Sequence, residues 1–290
     1  GGPMFGQYRR NAMLLVMEHP ESGSTLLEFP KVLADEEFRR YKLEHCTNPI
    51  VRDFWMKEAE KAGGEASLAN MVPYITSKLT TFISNDMMRP IIAQQKSTLN
   101  FRELMDSGKI VLVNLSKGKI GEINAKLLGM VIVGKILMAA LSRVDTPEAE
   151  RRDFYLYLDE FQNVTTNSIS AILSEARKYK LGLTIAHQFI AQIDEKIRDA
   201  VFGNVGSIAA FRVGNDDAEV LAKLFTPIFT PSDLMNIENR NAYAKLLSNG
   251  SPTTPFSFHT MPPKELNMEY ANQMIEFSTL KYGTPRDVVD

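Results

Sequence analysis

The segment FYLYLDEFQ, residues 154–162, is the clearest indicator of fold class in this sequence. Five aromatic or aliphatic residues run directly into Asp159 and Glu160. A continuous apolar run of this length predicts a strand that is buried on both faces of a parallel sheet. In open α/β sheets, ligands bind beyond the carboxyl ends of the strands. The stretch therefore predicts a ligand site at which two neighbouring carboxylates stand.

The order of the two acids suits nucleotide hydrolysis, as in the motif called Walker B. The first carboxylate, Asp159, can hold Mg²⁺ through a water molecule, and the second, Glu160, can orient or deprotonate an attacking water. Strands also end in Asp-Glu simply because the loops that follow them are polar. That alternative stays open for the motif taken alone.

Three residues downstream extend the candidate site. Gln188 stands 29 positions after Asp159, at the end of the apolar run LGLTIAHQF, where its amide could detect a terminal phosphate. Arg177, near the end of a predicted helix, either pairs with that helix's dipole or reaches a nucleotide held by a neighbouring subunit. Arg212, at the end of SIAAFRVG, is a second arginine candidate.

The sequence from residue 106 onward alternates between short apolar runs and longer amphipathic segments. This alternation predicts a parallel α/β sheet. The predicted strands are DSGKIVLVNLS, RRDFYLYLDEFQ, LGLTIAHQF and SIAAFRVG, and an edge hairpin is predicted over AYAKLLSNGSPTTPFSFHTMPP. The predicted helices between them include EINAKLLGMVIVGKILMAALSR and NSISAILSEARKYK.

The sequence before residue 106 has apolar residues at helical spacing and almost no runs of β-branched residues. Asn48 ahead of Pro49, for example, predicts a capped helix start. The predicted domains are a helix of the nucleotide-binding core over 1–23, an all-α subdomain over 24–105, the core over 106–265, and a C-terminal helix and tail over 266–290.

GMVIVGKI, residues 129–136, imitates a phosphate-binding loop, with Ile136 in place of the Ser or Thr that would bind Mg²⁺. Such a loop needs a strand before it and a helix that starts at its lysine. Here Gly129 and Gly134 lie inside one continuous helical pattern. We therefore predict a helix whose small residues permit close packing, and no phosphate-binding loop anywhere in the sequence.

Composition excludes several classes. The chain has 290 residues, 44% of them hydrophobic, and a formal net charge of −2, so it is not a globally basic DNA-coating protein. Its one cysteine, Cys46, cannot form an internal disulfide, which favours a reducing compartment. The most apolar stretch is interrupted by Lys135 and predicts no membrane span.

With these motifs in place, the sequence resembles the motor domain of type IV secretion coupling proteins, the TraD/TraG class of the HerA/FtsK-like RecA-fold ATPases. The resemblance is carried by FYLYLDEFQNV, LSEARKYKLGLTIAHQFIAQI and GNVGSIAAFRVGNDDAEVLAKLF, with support from FGQYRRNAMLLVME and STLKYGTPRDVV. It implies an α/β fold with a RecA-like, mostly parallel sheet of the P-loop NTPase type and an all-α insertion.

The resemblance also implies roles by position. Asp159 would be the magnesium residue, Glu160 the catalytic base, Gln188 the sensor of the terminal phosphate and Arg177 an arginine that acts in trans. ATP and Mg²⁺ would be the cofactors. The partners would be other subunits of a hexameric ring, DNA, relaxosome proteins and secretion-channel proteins, for a cytoplasmic domain that a missing N-terminal anchor attaches to the membrane.

Two departures from the family stand out. The family's phosphate-binding loop lies upstream of the helical insertion, so the resemblance implies a chain truncated before that loop, which would hydrolyse ATP poorly alone. His187 stands where a smaller residue is expected, and a partly buried histidine is the simpler interpretation.

DNA contact would fall to pore loops that bind phosphates without reading sequence. The candidate residues are Lys117 and Lys119 of SKGKIGE, together with the pair Arg151-Arg152, although such residues also occur in ordinary solvated loops.

The sequence thus predicts the C-terminal part of an ATP-driven DNA-translocating motor. Two alternatives remain: a nucleotide-inert module that docks a relaxosome protein, and a secretion ATPase that powers pilus assembly without DNA.

Overall fold

The structure, a computed structural model, describes residues 3–59, 64–164, 169, 172–173 and 175–289. The chain divides into two compact units. The first comprises Gly1–Leu99, Ser116–Asn124 and Gln273–Asp290, and the second comprises Asn100–Leu115 and Ala125–Asn272. Each unit has its own hydrophobic core.

In chain order, the described α-helices are α1 (Pro3–Glu18), α2 (Glu28–Ala34), α3 (Glu36–Glu44), α4 (Pro49–Asp53), α5 (Gly64–Ile83), α6 (Arg89–Ile92), α7 (Phe101–Asp106), α8 (Lys117–Ile120), α9 (Glu122–Leu141), α10 (Glu195–Asn204), α11 (Asn215–Phe225), α12 (Pro231–Met235), α13 (Met268–Tyr282) and α14 (Arg286–Val289). The strands are β1 (Phe154–Leu158), β2 (Leu181–Ile185), β3 (Ile208–Ala210), β4 (Asn241–Lys245), β5 (Leu247–Ser248), β6 (Ser251–Pro252) and β7 (Phe256–His259).

The first unit is helical wherever the structure describes a regular element in it. Its core contains an aromatic group in which Tyr8 meets Phe54 and Trp55 edge-on, at centroid distances of 5.1 and 5.9 Å. The predicted cap of α4 is confirmed, because the Asn48 side chain accepts hydrogen bonds from the first turn and Pro49 opens the helix.

The second unit is built on a parallel pair of strands. Strand β1 pairs with β2 from Phe154↔Leu181 to Leu158↔Ile185, which confirms that these two predicted strands run parallel. Only one face of β1 is covered: Leu156 is buried, whereas Tyr155 and Tyr157 are 63% and 71% exposed. The prediction that FYLYL is buried on both faces is therefore wrong.

Helix α9 covers the buried face. Its Val133, Ile136 and Ala140 join the same hydrophobic core as Leu156 and Leu181. The prediction that GMVIVGKI is helical is thus confirmed. Among the described residues, Glu122–Asp145 is the one stretch long and apolar enough to cross a membrane, by length and composition alone.

The two glycines of that helix differ in their surroundings. A Cβ on Gly129 would lie 2.4 Å from Cγ1 of Val164 and 2.9 Å from Cδ1 of Leu115, so this position requires the absence of a side chain. A Cβ on Gly134 would meet nothing within 4 Å. Close packing therefore explains the first glycine and does not explain the second.

The predicted strand in DSGKIVLVNLS is not formed. Residues 109–116 are irregular, and Ile110 and Leu112 are 90% and 85% exposed. An apolar run becomes a strand only where another strand supplies its backbone partners. In the part of the chain that the structure describes, no strand pairs with this segment.

SIAAFRVG forms a strand, but it belongs to a different sheet from the one predicted. Strand β3 pairs with β4 and β4 pairs with β7, both antiparallel, while β5 and β6 form a small ribbon between them. The predicted hairpin is confirmed. Its strand β4 pairs with β3, so β3 belongs to the antiparallel sheet and does not pair with β1 or β2. The described chain is thus a mixed α/β fold whose parallel part consists of two strands.

The predicted helix NSISAILSEARKYK lies largely outside the described residues. Its end, Ala176–Tyr179, is a short 3-10 turn that leads into β2.

Candidate functional site

The turn after β1 holds its second acid in an unusual backbone conformation. Glu160 has φ of +50°, in the left-handed region, and a 3-10 turn over Phe161–Asn163 follows it. The Glu160 amide donates to Oδ1 of Asp159 at 3.0 Å, and Nδ2 of Asn163 donates to the Glu160 carbonyl at 3.0 Å. A left-handed residue that is not glycine costs about 1–2 kcal/mol, and functional sites are where such strain is often found.

The end of β2 is joined to this turn by two further backbone hydrogen bonds. The Ala186 amide donates to the Leu158 carbonyl at 2.9 Å, and the Phe161 amide donates to the Ala186 carbonyl at 3.0 Å. These bonds continue the pairing beyond the two strands and fix the position of the loop that follows β2. Because Phe161 is completely buried, the turn is anchored in the core of the unit.

This arrangement brings Gln188 to the acids. Its Nε2 donates to Oε1 of Glu160 at 2.8 Å, so the amide and the carboxylate meet at the carboxyl edge of β1 and β2. The sequence placed both residues at the ends of neighbouring parallel strands. The structure brings those ends together.

One residue of the site was missed by the sequence analysis. Nε2 of Gln162 donates to Oε2 of Glu160 at 2.6 Å, so each oxygen of that carboxylate receives one amide. The signal was present in the sequence as a polar amide two positions after the acid. Nothing in residue spacing, however, shows that a 3-10 turn would fold it back.

His187 lies against the same turn. It is half-buried, and its ring meets Phe161 edge-on at a centroid distance of 5.3 Å. Burial lowers the pKa of the His187 imidazole, and the negative charges of Asp217 and Glu160 offset this only in part. Asp217, in the first turn of α11, also accepts from the Ile190 amide at 3.2 Å. The interpretation of His187 as a partly buried histidine is confirmed.

Arg177 lies at the opposite end of the β1–β2 pair, where both strands begin; this end is called the amino edge. It is exposed on the 3-10 turn before β2, beside a cavity of about 590 Å³ lined also by Asp153, Tyr155 and Lys180. Strand β2, whose five residues span about 16 Å at roughly 3.3 Å per residue, lies between this turn and the segment that carries Gln188. Arg177 therefore does not reach Glu160 of its own chain.

The amino edge also holds a network of arginines. Arg143 is completely buried, bonds Asp106 through Nε at 2.9 Å, and donates through Nη1 to the carbonyls of Arg152 and Tyr179. Arg151 donates to the carbonyls of Arg143, Thr146 and Lys178. The guanidinium of Arg151 is thus committed to the protein's own backbone, whereas Arg152 is exposed.

The remaining predicted site residues are not joined to the acids. Nη2 of Arg212 donates to Oδ1 of Asn239 at 3.3 Å, and no contact within the described residues links it to Glu160. Lys117 and Lys119 are exposed on the single helical turn α8, in the first unit.

The residues at the carboxyl edge can be matched to the implied cofactors. Mg²⁺ keeps several waters and takes one or two carboxylates together with substrate phosphates, and the exposed Asp159 fits such a role. The described residues contain no group of three or more side chains that could hold a metal ion by themselves. The acids available at this edge are Asp159 and Glu160, which matches the one or two carboxylates that Mg²⁺ takes.

Comparisons with known proteins support the resemblance. Residues 153–236 match the family described as "TraM recognition site of TraD and TraG". This segment contains Asp159, Glu160, Gln188 and both arginine candidates. The resemblance to the TraD/TraG class of coupling proteins is thereby confirmed. A search of curated protein sequences found no match.

Two solved structures share the fold. One is described as "Plasmid coupling protein TrwB in complex with the non-hydrolysable GTP analogue GDPNP", with a TM-score of 0.57, and the other as "Bacterial conjugative coupling protein TrwBdeltaN70. Trigonal form in complex with sulphate", with a TM-score of 0.52. Each is 13% identical in sequence and aligns over 91% of this chain and 70% of the other.

Proposed function

We propose that this chain, which carries the TraD/TraG-class segment, is the C-terminal part of an ATP-driven motor that moves DNA in conjugation. One observation carries the proposal: an acid after one parallel strand and an amide after its neighbour meet at 2.8 Å, at the edge where α/β proteins bind ligands. The GTP analogue bound to the similar TrwB supports a nucleoside triphosphate as the ligand class.

In this proposal the residues at the carboxyl edge divide the chemistry of hydrolysis. Asp159 would hold Mg²⁺ through a water molecule, and the positive charge of the ion would be available to neutralise the phosphates of a bound nucleotide. Glu160 orients and deprotonates the attacking water. Gln188 donates its amide to the terminal phosphate and thereby distinguishes a triphosphate from a diphosphate.

Arg177 would act on a nucleotide held by the next subunit of a ring. Its exposure and its place about 16 Å from the carboxyl edge, at roughly 3.3 Å per strand residue, suit an arginine that contributes in trans. Arg212, bonded to Asn239, is a second candidate for that role. A hexameric ring and a RecA-like parallel sheet are part of this proposal, as are the domain boundaries 1–23, 24–105, 106–265 and 266–290.

DNA would contact exposed lysines without regard to sequence. The candidates are Lys117 and Lys119 of α8, both of which are exposed. The cytoplasmic location and the attachment to the membrane through another part of the protein also belong to the proposal.

The test is DNA-stimulated ATP hydrolysis by the full-length protein. Glu160→Gln should lower kcat by about 100-fold or more while nucleotide binding is retained, because the amide keeps the shape and loses the base. The matched control is Glu195→Gln, an exposed acid at the start of α10, which should hydrolyse ATP at the original rate. Equal activity of Glu160→Gln and the control would contradict the proposal.

A second candidate function is docking of a relaxosome protein. It is favoured by the description of the matching family as a recognition site for TraM. If docking were the only function, DNA transfer would continue when Asp159 and Glu160 are both replaced by alanine. If the protein were instead a secretion ATPase that powers pilus assembly, hydrolysis would proceed without stimulation by DNA.

A further inference from the structure

We propose that Gln162 and Gln188 form a clamp on Glu160, in which Gln162 is a permanent positioning residue and Gln188 leaves Glu160 when a nucleotide binds. The inference rests on the proposed ATPase function and adds a resting state to it. Gln162 is a residue that the sequence motifs do not assign.

The clamp is defined by two hydrogen bonds. Oε1 of Glu160 accepts from Gln188 at 2.8 Å and Oε2 accepts from Gln162 at 2.6 Å. A carboxylate that accepts one amide on each oxygen has a fixed plane and a fixed rotation. Bonds of neutral amides to a charged acceptor are also among the stronger hydrogen bonds of proteins.

The two amides differ in their freedom. Gln162 lies in the same 3-10 turn as the buried Phe161 and is itself partly buried, so it is held in one place relative to Glu160. Gln188 is exposed and comes from the irregular segment after β2. The backbone beside it is fixed by the Ala186 hydrogen bonds and by His187 against Phe161, whereas its exposed side chain extends from the irregular segment to the Glu160 carboxylate.

This difference determines which hydrogen bond is exchanged. The Gln188 amide can donate to Glu160 or to a terminal phosphate, and a phosphate oxygen carries the greater negative charge. When Gln188 turns to the phosphate, Oε1 of Glu160 becomes available to accept a proton from water. Gln162 keeps Oε2, so the base remains oriented during this exchange. The clamp thereby links release of the base to the presence of the nucleotide.

The resting clamp can be tested on this chain without any nucleotide. Glutamine side chains are labelled with ¹⁵N, and the hydrogen exchange of their amide protons is measured by NMR. In Glu160→Ala, the exchange of both the Gln162 and the Gln188 amide protons should become at least about tenfold faster, because both lose their acceptor. Gln192, exposed in the same loop region, should not change. Unchanged exchange at Gln162 and Gln188 would overturn the clamp and leave the proposed ATPase function intact.

The exchange step is tested in the full-length protein with Mg²⁺ and a non-hydrolysable ATP analogue. The Gln188 amide resonance should shift on binding, while the Gln162 resonance stays within its resting range. A shift of both, or of neither when the analogue is bound, would overturn the division of roles. Failure of the analogue to bind at all would refute the ATPase proposal, and the exchange step with it, while the resting clamp would still be decided by the measurement on the chain.

Kinetics separate positioning from a merely structural role. Gln162→Met, which has a similar size but no amide, should lower kcat about tenfold and leave the KM for ATP within about twofold, because Gln162 acts on the reaction through Glu160. Gln188→Met should change both constants, and the matched variant Gln192→Met should change neither. A Gln162→Met variant that loses stability but keeps kcat would show that the residue serves folding alone.

Discussion

The two edges of the β1–β2 pair are built in opposite ways. At the amino edge, the buried Arg143 ties Asp106 to the carbonyls that precede both strands, and Arg151 binds three further carbonyls. At the carboxyl edge, the backbone of Glu160 has a left-handed conformation, and its carboxylate accepts hydrogen bonds from the side chains of Gln162 and Gln188. The amino edge satisfies backbone groups and stabilises the unit. The carboxyl edge retains strain and presents charged groups to solvent, as sites for chemistry do.

The largest expected effect lies at the amino edge. Arg143→Met should lower the free energy of unfolding by about 3 kcal/mol, because Asp106 and two carbonyls lose a buried partner. Urea unfolding monitored by circular dichroism measures this. Arg198→Met, which removes only exposed ion pairs on α10, should change stability by less than about 0.5 kcal/mol. Similar losses of unfolding free energy in Arg143→Met and Arg198→Met would contradict the stabilising role assigned to the amino edge.

The next effect concerns strain at the carboxyl edge. Both Glu160→Gly and Glu160→Ala lose the carboxylate, but only glycine adopts positive φ freely. The glycine variant should therefore be more stable than the alanine variant by about 1 kcal/mol.

The same pair of substitutions at Asp159 provides the control for this prediction. Asp159 is not among the residues with positive φ, so alanine should be the more stable choice there. Parallel unfolding curves of the four variants decide the question. The same order of stability at both positions would show that Glu160 stores no backbone strain.

The smallest effect is a dependence on pH. Because the pKa of His187 is lowered in the folded protein, the unfolded chain takes up the proton more readily. Protonation of His187 therefore does not reduce the stability of the folded protein at pH values above the ordinary histidine pKa of about 6.5. As the pH falls through this value, protonation favours the unfolded chain and the stability of the folded protein declines. His187→Phe should make the midpoint temperature of thermal unfolding depend less steeply on pH between pH 7 and pH 5. A slope in His187→Phe equal to that of the unsubstituted protein would contradict this assignment.

Much of the second unit could be predicted from the sequence. The apolar runs that end in Asp159 and in Gln188 indicated two parallel strands, and the parallel arrangement by itself indicated that their polar ends would meet. The helical periodicity through Gly129 excluded the apparent phosphate-binding loop. These features are encoded by local patterns together with one general rule of sheet geometry.

Other features depend on partners that no local pattern reveals. Ile110 and Leu112 belong to an apolar run suited to a strand, yet no described strand pairs with it. Strand β3 has three residues and takes its direction from the hairpin that follows it. Gln162 was missed because the left-handed turn at Glu160 folds it back, and glutamate gives no sign of that conformation.

The bare backbone at Gly129 has a mechanical consequence for the site. Val164, which Gly129 contacts, closes the turn that begins beside Glu160, and a methyl group on the glycine would stand only 2.4 Å from Cγ1 of that valine. Because a side chain at position 129 would collide with Val164, the absence of a side chain there allows helix α9 to pack directly against the end of the turn that follows Glu160. The spacing between the helix and this turn is thus smaller than any residue with a Cβ would permit without a shift of its neighbours.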